Sequence, residues 1–239
     1  MGNPLLLMLR LEGPLQSWGT RARWDVRDSG DEPTKSGVIG LLGCALGYGM
    51  YHRSLEDELD ANLNIGVRIE RPGEPLLDFH TVTGILPTAE GKTKGRDGDP
   101  STIVSHRTYL QDAAFLVVVG GPAGLLERCH TALAHPRWPV FLGRKSCPPS
   151  RPVLEDLSSN YESITDALHR FPWSCQTMEL LEQRPTLPLR FSIEDSAGVR
   201  RQDATRINPA RMYGSRRVRQ GWVNSISVIT QDQSKEGAS

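Results

Sequence analysis

The sequence predicts an α+β fold in two parts, an N-terminal domain of strands and helices over residues 1–150 and a small β-rich domain over residues 151–239. In the first part, apolar runs of strand length alternate with helical patterns. In the second part, short strand patterns follow one short helix, and the chain ends in a polar tail. A chain of 239 residues can bury one large core or two small ones.

Hydrophobic spacing and turn residues predict the individual elements. The first part contains a strand at 4–11, helices at 33–47 and around Leu55, Leu59 and Leu63, a hairpin of 65–69 with 76–82, a strand at 113–119, a helix at 121–135 and a strand at 138–142. This order is typical of a ferredoxin-like or RRM-type module with an enlarged hairpin. After a linker at 151–158, the second part holds a helix at 160–171 and strands at 178–181, 189–193, 198–205 and 217–230.

The predicted helix at 33–47 combines an N-cap with a stripe of small residues. The stripe consists of Ser36, Gly40, Gly43 and Gly47. Because each glycine inside a helix costs about 1 kcal/mol relative to alanine, another element must approach this backbone closely, and we expect a packed sheet. At the helix start, Thr34 as N-cap, Lys35 and Ser36 surround free N–H groups, which predicts an anion-binding corner.

The segment from Gly84 to Ser105 differs from its surroundings. It is rich in glycine and lysine, and polar insertions of this length are usually lids or binding loops. His80 precedes it, and Arg107 with Tyr109 follows it. We therefore predict a projecting hairpin over about residues 80–108, with a flexible end.

Composition excludes several classes of function. Lys+Arg and Asp+Glu both number 28, so contact with a polyanion must be local, although arginines are concentrated between Arg200 and Arg219. The four cysteines have no C-x-x-C spacing, and the sequence has no signal peptide and no run long enough to span a membrane, which predicts a reduced, cytoplasmic protein. Walker, G-x-S-x-G and H-E-x-x-H motifs are missing, so we predict no metal, no cofactor and no small-molecule substrate.

The remaining chemistry lies in four loops that combine cations with hydroxyl or aromatic groups, at 16–27, 34–36, 105–109 and 143–147. In the last loop, Gly143 and Pro148 restrict the backbone around Arg144, Lys145 and Ser146. On an RRM-like scaffold, single-stranded RNA is held by stacking and by phosphate contacts. The loops therefore predict an RNA-binding protein.

Four motifs in matching order resemble one family. They are Gly13-Pro-Leu-Gln-Ser-Trp-Gly19, Pro33-Thr-Lys-Ser-Gly37, Tyr109-Leu-Gln-Asp-Ala113 and Phe141-Leu-Gly-Arg-Lys-Ser-Cys-Pro-Pro149. They resemble the CasD subunit family of type I-E CRISPR Cascade, the fifth Cas family of the RAMP superfamily, and the resemblance covers about residues 5–155. It implies a RAMP domain with a β-hairpin thumb and a non-catalytic subunit that caps the 5′ handle of the guide RNA (crRNA) in antiviral defence.

The resemblance also implies partners and site residues. The partners are the crRNA, the large subunit and the backbone subunits of Cascade, with target DNA reached through the assembled complex. The RNA-binding residues are Gln16, Ser17, Trp18, Arg27, Thr34, Lys35, Ser36, His80, Arg107, Tyr109, Arg144, Lys145 and Ser146. The alternative is a metal-independent endoribonuclease that processes repeat RNA, as in related type I-C subunits. His106, beside Arg107 and Tyr109, or else His80, would supply its acid–base chemistry.

Overall fold

The structure of the protein is a computed structural model, which describes residues 2–20, 26–87, 92–96, 99–173, 188–207 and 211–224. Within these ranges the fold is mixed α/β and is built on antiparallel sheets. The strands are β1 (Leu6–Glu12), β2 (Leu15–Gln16), β3 (Val26–Arg27), β4 (Asn64–Arg71), β5 (Glu74–Gly84), β6 (Leu86–Pro87), β7 (Thr93–Lys94), β8 (Ser101–Gln111), β9 (Ala114–Gly120), β10 (Leu154–Ser158), β11 (Pro188–Ile207) and β12 (Arg211–Asn224). The helices are α1 (Lys35–Leu46), α2 (Ala123–Ala134) and α3 (Ile164–Arg170), and a π-helical turn covers Leu55–Asp60.

A six-stranded sheet in the order β10-β1-β9-β4-β11-β12 forms the centre of the molecule. Its strands β1 and β9 are buried along their whole lengths, as their largely apolar sequences predict, and β1 buries the charged Arg10 and Glu12 as well. They pair antiparallel, with Leu9 opposite Val117. Because successive side chains of a strand point to opposite faces of a sheet, β1 and β9 contribute to two separate cores.

Helices cover both faces of the central sheet. On one face, α1, the π-helical turn and α2 pack on Leu9 and Val117, with Leu42 of α1 fully buried between them. On the other face, α3 and residues 171–173 pack on Met8, where Leu168 is fully buried. The helices predicted at 121–135 and 160–171 are thus present as α2 and α3, and the sheet lies between two helical layers.

A buried ion cluster lies on the second face of the sheet. Glu70 accepts hydrogen bonds from Arg10 and from Arg68 Nη2, the latter at 2.5 Å, and the side chains of all three residues are at most 2% exposed. Arg68 Nη1 donates to Leu168 O (2.8 Å) and Arg10 Nη2 to Pro172 O (2.9 Å). Burial lowers the pKa of the Arg68 guanidinium, although Glu70 opposes this shift. The cluster therefore connects the sheet to the C-terminal end of α3.

Helix α1 begins and ends where its capping residues predict. Thr34 Oγ1 accepts a hydrogen bond from the Gly37 N–H (3.2 Å), and Gly47 ends the helix in the left-handed region with a φ of 83°. The small-residue stripe does permit a close approach, because a Cβ on Gly43 would lie 2.3 Å from Leu55 Cδ2. The neighbour at Gly43 is thus a side chain of the π-helical turn and not the sheet that the sequence predicted.

A second sheet is formed around the long hairpin of β5 and β8. Its register runs from Glu74 opposite Gln111 to Gly84 opposite Ser101, and β6 pairs with β7 beyond it. The other edge of β8 pairs with β2 near Gln111 and, in parallel, with β3 at Arg107. These pairings bring the segments around residues 15–19 and 26–30 next to β8.

The predicted pairing of residues 65–69 with residues 76–82 in one hairpin is wrong. Both edges of β4 are hydrogen-bonded to other strands, β9 and β11, so β5 cannot add to them. The chain leaves β4 at Gly73, whose φ is 71° and where a Cβ would lie 2.6 Å from Gln111 O. β5 therefore pairs with β8 in a different sheet.

Two other predicted elements differ from the structure. Residues 138–142 form an irregular segment and not a strand, and the carbonyls of Trp138 and Pro139 lie near Cys44 Sγ. Residues 151–158, predicted to be a linker, contain β10, which pairs with β1 as a strand of the central sheet. Strands from both sides of the predicted 150/151 boundary therefore share one sheet.

In the described residues of the second part of the chain, β11 and β12 are longer than the strands predicted there. The ranges 189–193 and 198–205 both lie in β11, which is bulged and pairs with β12 and β4. The predicted strand 178–181 and residues 225–230 of the last predicted strand lie outside the described residues. Within the described part of the chain, none of the helices has both the length and the apolar character needed to cross a membrane.

Candidate nucleic-acid interface

The loop of residues 143–147 packs directly on the loop that contains Ser17. Ser17 N donates to Leu142 O (3.0 Å), and the Leu142 N–H donates to Cys147 O (2.8 Å). Gly143 has a φ of 89°, and a Cβ there would lie 1.7 Å from Ser17 O, so only glycine fits at this position. The two loops thus have a fixed relation to each other.

Arg144 connects this loop pair to the second sheet. Its Nη1 donates to Thr108 O and its Nη2 to Arg27 O, both at 3.0 Å. The guanidinium carbon lies 4.5 Å from the centre of the Tyr109 ring, within the range of a cation–π interaction. Arg144 therefore holds β3, β8 and the 143–147 loop together, while the neighbouring Lys145 is exposed.

Polar side chains from β5, β8 and the 143–147 loop meet at the Tyr109 hydroxyl. The ring of Tyr109 is buried, and its hydroxyl lies 3.5 Å from His80 Nε2 and 3.4 Å from Ser146 Oγ. His80 Nε2 in turn lies 2.6 Å from Asp78 Oδ2. The hydrogen bond from the Phe79 N–H is the main cause that lowers the pKa of the Asp78 carboxyl below its ordinary value. The hydrogen bond with His80 and the positive charge of Arg107 lower this pKa further. Asp78 is therefore a carboxylate at neutral pH.

A small groove of about 180 Å³ opens beside these groups. Ser17, Arg27 and Arg144 line it, and two residues of the same groove, Asp28 and Tyr213, were not predicted. The predicted residues that the structure brings together in this region are Ser17, Arg27, His80, Arg107, Tyr109, Arg144, Lys145 and Ser146. Tyr213 could have been noticed in the sequence as an aromatic residue inside the arginine-rich segment.

Gln16 and Trp18 were predicted to contact RNA, but both side chains are buried. Gln16 is 0% exposed; its Nε2 donates to Leu11 O (3.0 Å) and Ala113 O (2.8 Å), and its Oε1 accepts from Trp18 Nε1 (3.1 Å). Trp18 packs against Gly37, where a Cβ would lie 2.8 Å from the ring. Both side chains support the loop from within the protein.

The predicted anion-binding corner at the start of α1 is occupied by the protein's own carboxylates. Asp203 Oδ2 accepts from the Lys35 N–H (3.1 Å), and Lys35 Nζ pairs with Glu194 at 3.2 Å. Thr34, Lys35 and Ser36 are all at most 5% exposed. These three residues therefore cannot contact an external phosphate in this structure, and the prediction is corrected.

Comparisons with known proteins define the class of this protein. The family model described as CRISPR-associated protein (Cas_Cas5) matches residues 6–219. The chain therefore belongs to this CRISPR-associated family, as the four sequence motifs predicted.

One relative and two solved structures show how closely the chain matches. It is 33% identical over 159 residues to "CRISPR system Cascade subunit CasD" of Escherichia coli (strain K12), which covers 62% of this chain and 69% of CasD. A chain of a "CRISPR RNA-guided surveillance complex" is 29% identical, with a TM-score of 0.66 over 93% of this chain and 92% of that one. The protein in "Crystal structure of Cas protein" is 33% identical, with a TM-score of 0.63 over 93% of this chain and 97% of that one. Both likenesses extend over the whole mixed α/β fold.

Proposed function

We propose that the protein is the crRNA-binding subunit of a type I-E CRISPR Cascade complex, in which it caps the 5′ handle of the guide RNA without catalysing a reaction. One observation carries this proposal. Segments from three distant parts of the chain, around Ser17, Arg27 and Arg144, line one groove, and Arg144 also packs on the Tyr109 ring of β8. Cations, hydroxyls and backbone N–H groups converging in this way suit the sugar–phosphate backbone of a single strand.

The proposed RNA contacts are narrower than the set predicted from sequence. Arg27 is exposed and lines the groove, Lys145 and Ser146 are exposed on the neighbouring 143–147 loop, and Arg107 is half-buried on β8. Arg144 is engaged with protein carbonyls and orients its neighbours. His80 contributes from the hairpin side. The CasD likeness supports the assignment, since that relative is named as a Cascade subunit.

The salt dependence of RNA binding tests this proposal. Each lost phosphate contact reduces the slope of log K against log salt by about 0.7 for a single strand. Lys145→Ala and Arg107→Ala should each lower the slope for a guide RNA carrying its 5′ handle, as measured by fluorescence anisotropy. Arg53→Ala is the matched control, because Arg53 is an exposed cation paired with Asp57 on the π-helical turn. Unchanged slopes in both groove variants would contradict the proposal.

The proposal includes a role for the β5–β8 hairpin as a thumb that lies against the RNA. Leu77 and Phe79 are 66% and 61% exposed on this hairpin. The Phe79 ring lies edge to face against the His106 ring, with 5.8 Å between the two ring centres. Exposed aromatic rings of this kind can stack on bases. The large and backbone subunits of Cascade would bind around this hairpin, and target DNA would be reached only through the assembled complex. Co-expression with these subunits and a guide RNA tests whether they co-purify.

The second candidate is the endoribonuclease, and one observation favours it. Asp78 orients His80 at 2.6 Å beside the Tyr109 hydroxyl, which is how a carboxylate orients a general base. Incubation of the purified protein with repeat RNA in EDTA separates the two candidates. A single specific cut that is lost in His80→Ala would support the nuclease, and intact RNA supports the non-catalytic subunit.

A further inference from the structure

The arginine-rich ribbon of β11 and β12 forms one wall of a second, larger groove. This groove has a volume of about 1070 Å³. Arg200, Gln202, Met212 and Tyr213 line it from the ribbon, and Asp28 lines it from the opposite side. Apart from Met212 and the Tyr213 ring, the side chains that line it are polar or charged.

The larger groove is continuous with the small groove at Arg144. Thr20, Asp28 and Tyr213 line both of them. The small groove, at about 180 Å³, is below the roughly 300 Å³ at which pockets begin to hold a small organic molecule. It can take a phosphate or the edge of a sugar, whereas the larger groove has room for a whole nucleotide. A strand held in the small groove therefore has an adjoining place for its next nucleotide, across Tyr213.

The charges along the ribbon indicate which arginine is available to a ligand. Arg216 forms two hydrogen bonds to Asp203, at 2.6 and 2.8 Å, and Arg201 pairs with the buried Glu32. Arg200 is exposed and donates from Nε to Ser215 Oγ (2.8 Å), and it forms no ion pair with any carboxylate in the described part of the chain. Its remaining guanidinium donors can therefore bind a phosphate without breaking an internal pair.

Tyr213 and Asp28 suit the other parts of a nucleotide. The Tyr213 side chain is 44% exposed between the two grooves, so one face of its ring is open to stacking. Asp28 accepts from Thr20 Oγ1 (3.1 Å), and its carboxylate can also accept from a 2′-hydroxyl or an exocyclic amine. A protein partner of comparable size would need a more apolar surface at its centre than this groove offers.

We propose that the larger groove is a second RNA subsite, in which Tyr213 stacks on a base and Arg200 contacts the phosphate of the nucleotide next to the one at Arg144. This inference rests on the proposed function, since it extends the same strand. It gives the C-terminal arginine-rich segment a role in single-stranded RNA binding.

Substitutions on the ribbon test the subsite in the full-length protein. Loss of one stacked base weakens binding by about 5- to 150-fold. Tyr213→Ala should weaken anisotropy-measured binding of the handle-containing guide RNA within this range, while Tyr213→Phe, which keeps the ring, should stay within about 2-fold of the unsubstituted protein. Arg200→Ala should lower the salt slope by about 0.7. Trp222→Ala is the matched control, because Trp222 is 65% exposed on the same strand but does not line the groove.

The outcomes separate this inference from the proposed function. If Lys145→Ala weakens RNA binding and Tyr213→Ala does not, the subsite is refuted while the proposed function stands. If Lys145→Ala, Arg107→Ala and Tyr213→Ala all leave RNA binding unchanged, both are refuted. If Tyr213→Ala leaves RNA affinity unchanged but abolishes co-purification of another Cascade subunit, the groove is a protein interface and the inference is wrong. Thermal melts of all variants verify that the changes are not due to unfolding.

Discussion

Gln16→Met tests whether Gln16 supports the loop of residues 15–19 from inside or contacts RNA itself. Methionine fills a similar volume but removes the three hydrogen bonds to Leu11 O, Ala113 O and Trp18 Nε1. A buried polar partner left unsatisfied costs about 1–3 kcal/mol. Taking about 1 kcal/mol for each of the three partners, the variant should lose about 3 kcal/mol of unfolding free energy. For a chain of this length that corresponds to a decrease in Tm of about 6–12 °C.

Differential scanning fluorimetry measures the change in Tm, and RNA anisotropy well below the Tm measures binding. The folded variant should bind the guide RNA within about 3-fold of the unsubstituted protein, because the buried amide cannot reach a ligand. Gln111→Ala is the matched control, since Gln111 lies at the end of β8 in the same sheet with an exposed side chain. A Tm unchanged by Gln16→Met together with weakened RNA binding would refute the internal role.

Three further predictions concern the buried cluster, a buried thiol and the hairpin. Glu70→Gln leaves the buried guanidinium groups of Arg10 and Arg68 without their shared carboxylate, so urea unfolding should show a loss of about 3–5 kcal/mol; a loss below about 1 kcal/mol would contradict this. Burial raises the pKa of the Cys129 thiol from 9.0 to about 11. Between these two pH values the thiol is deprotonated only in the unfolded chain, so the free energy of unfolding falls as the pH rises. Cys129→Ala should remove roughly 2 kcal/mol of that alkaline loss, measured against unsubstituted protein by urea titrations at about pH 8 and pH 10.5; identical pH dependence would count against the buried thiol. Deletion of residues 91–98 should leave the Tm nearly unchanged while reducing Cascade assembly, and insoluble protein would show that the segment is part of the core.

The elements that the sequence predicted correctly are those whose pattern is local. β1 is a largely apolar run and β9 a continuous one, α2 buries Leu125, Leu126, Cys129 and Leu133 at helical spacing, and α1 has its own caps. Each of these signals lies within one segment. None of these signals depends on what the segment will pack against.

Strand pairing was not predictable in the same way. The alternation in residues 76–82 indicates a strand, but the choice of β8 over β4 depends on which edges are already occupied by β9 and β11. Likewise, the 151–158 segment has no strong strand signal of its own. It becomes β10 because the free edge of β1 lies beside it.

The site was predictable in its loops but not in its individual side chains. Polar residues such as Gln16 and Lys35 have the composition of ligand contacts, yet their partners are internal and distant in sequence. Gln16 bonds to Ala113, 97 residues away, and Lys35 to Asp203, 168 residues away. A linear pattern does not contain these distances. For the same reason Tyr213, which completes the groove from β12, was missed.

The Asp203 carboxylate at the start of α1 has a consequence for synthesis of the protein. During translation, α1 leaves the ribosome long before the strand that supplies this carboxylate, since 168 residues separate Lys35 from Asp203. Until then the Lys35 N–H at the start of the helix lacks its carboxylate partner and can attract a nearby phosphate. A nascent or truncated chain that lacks β11 should therefore adhere to nucleic acid through a surface that the finished protein has closed.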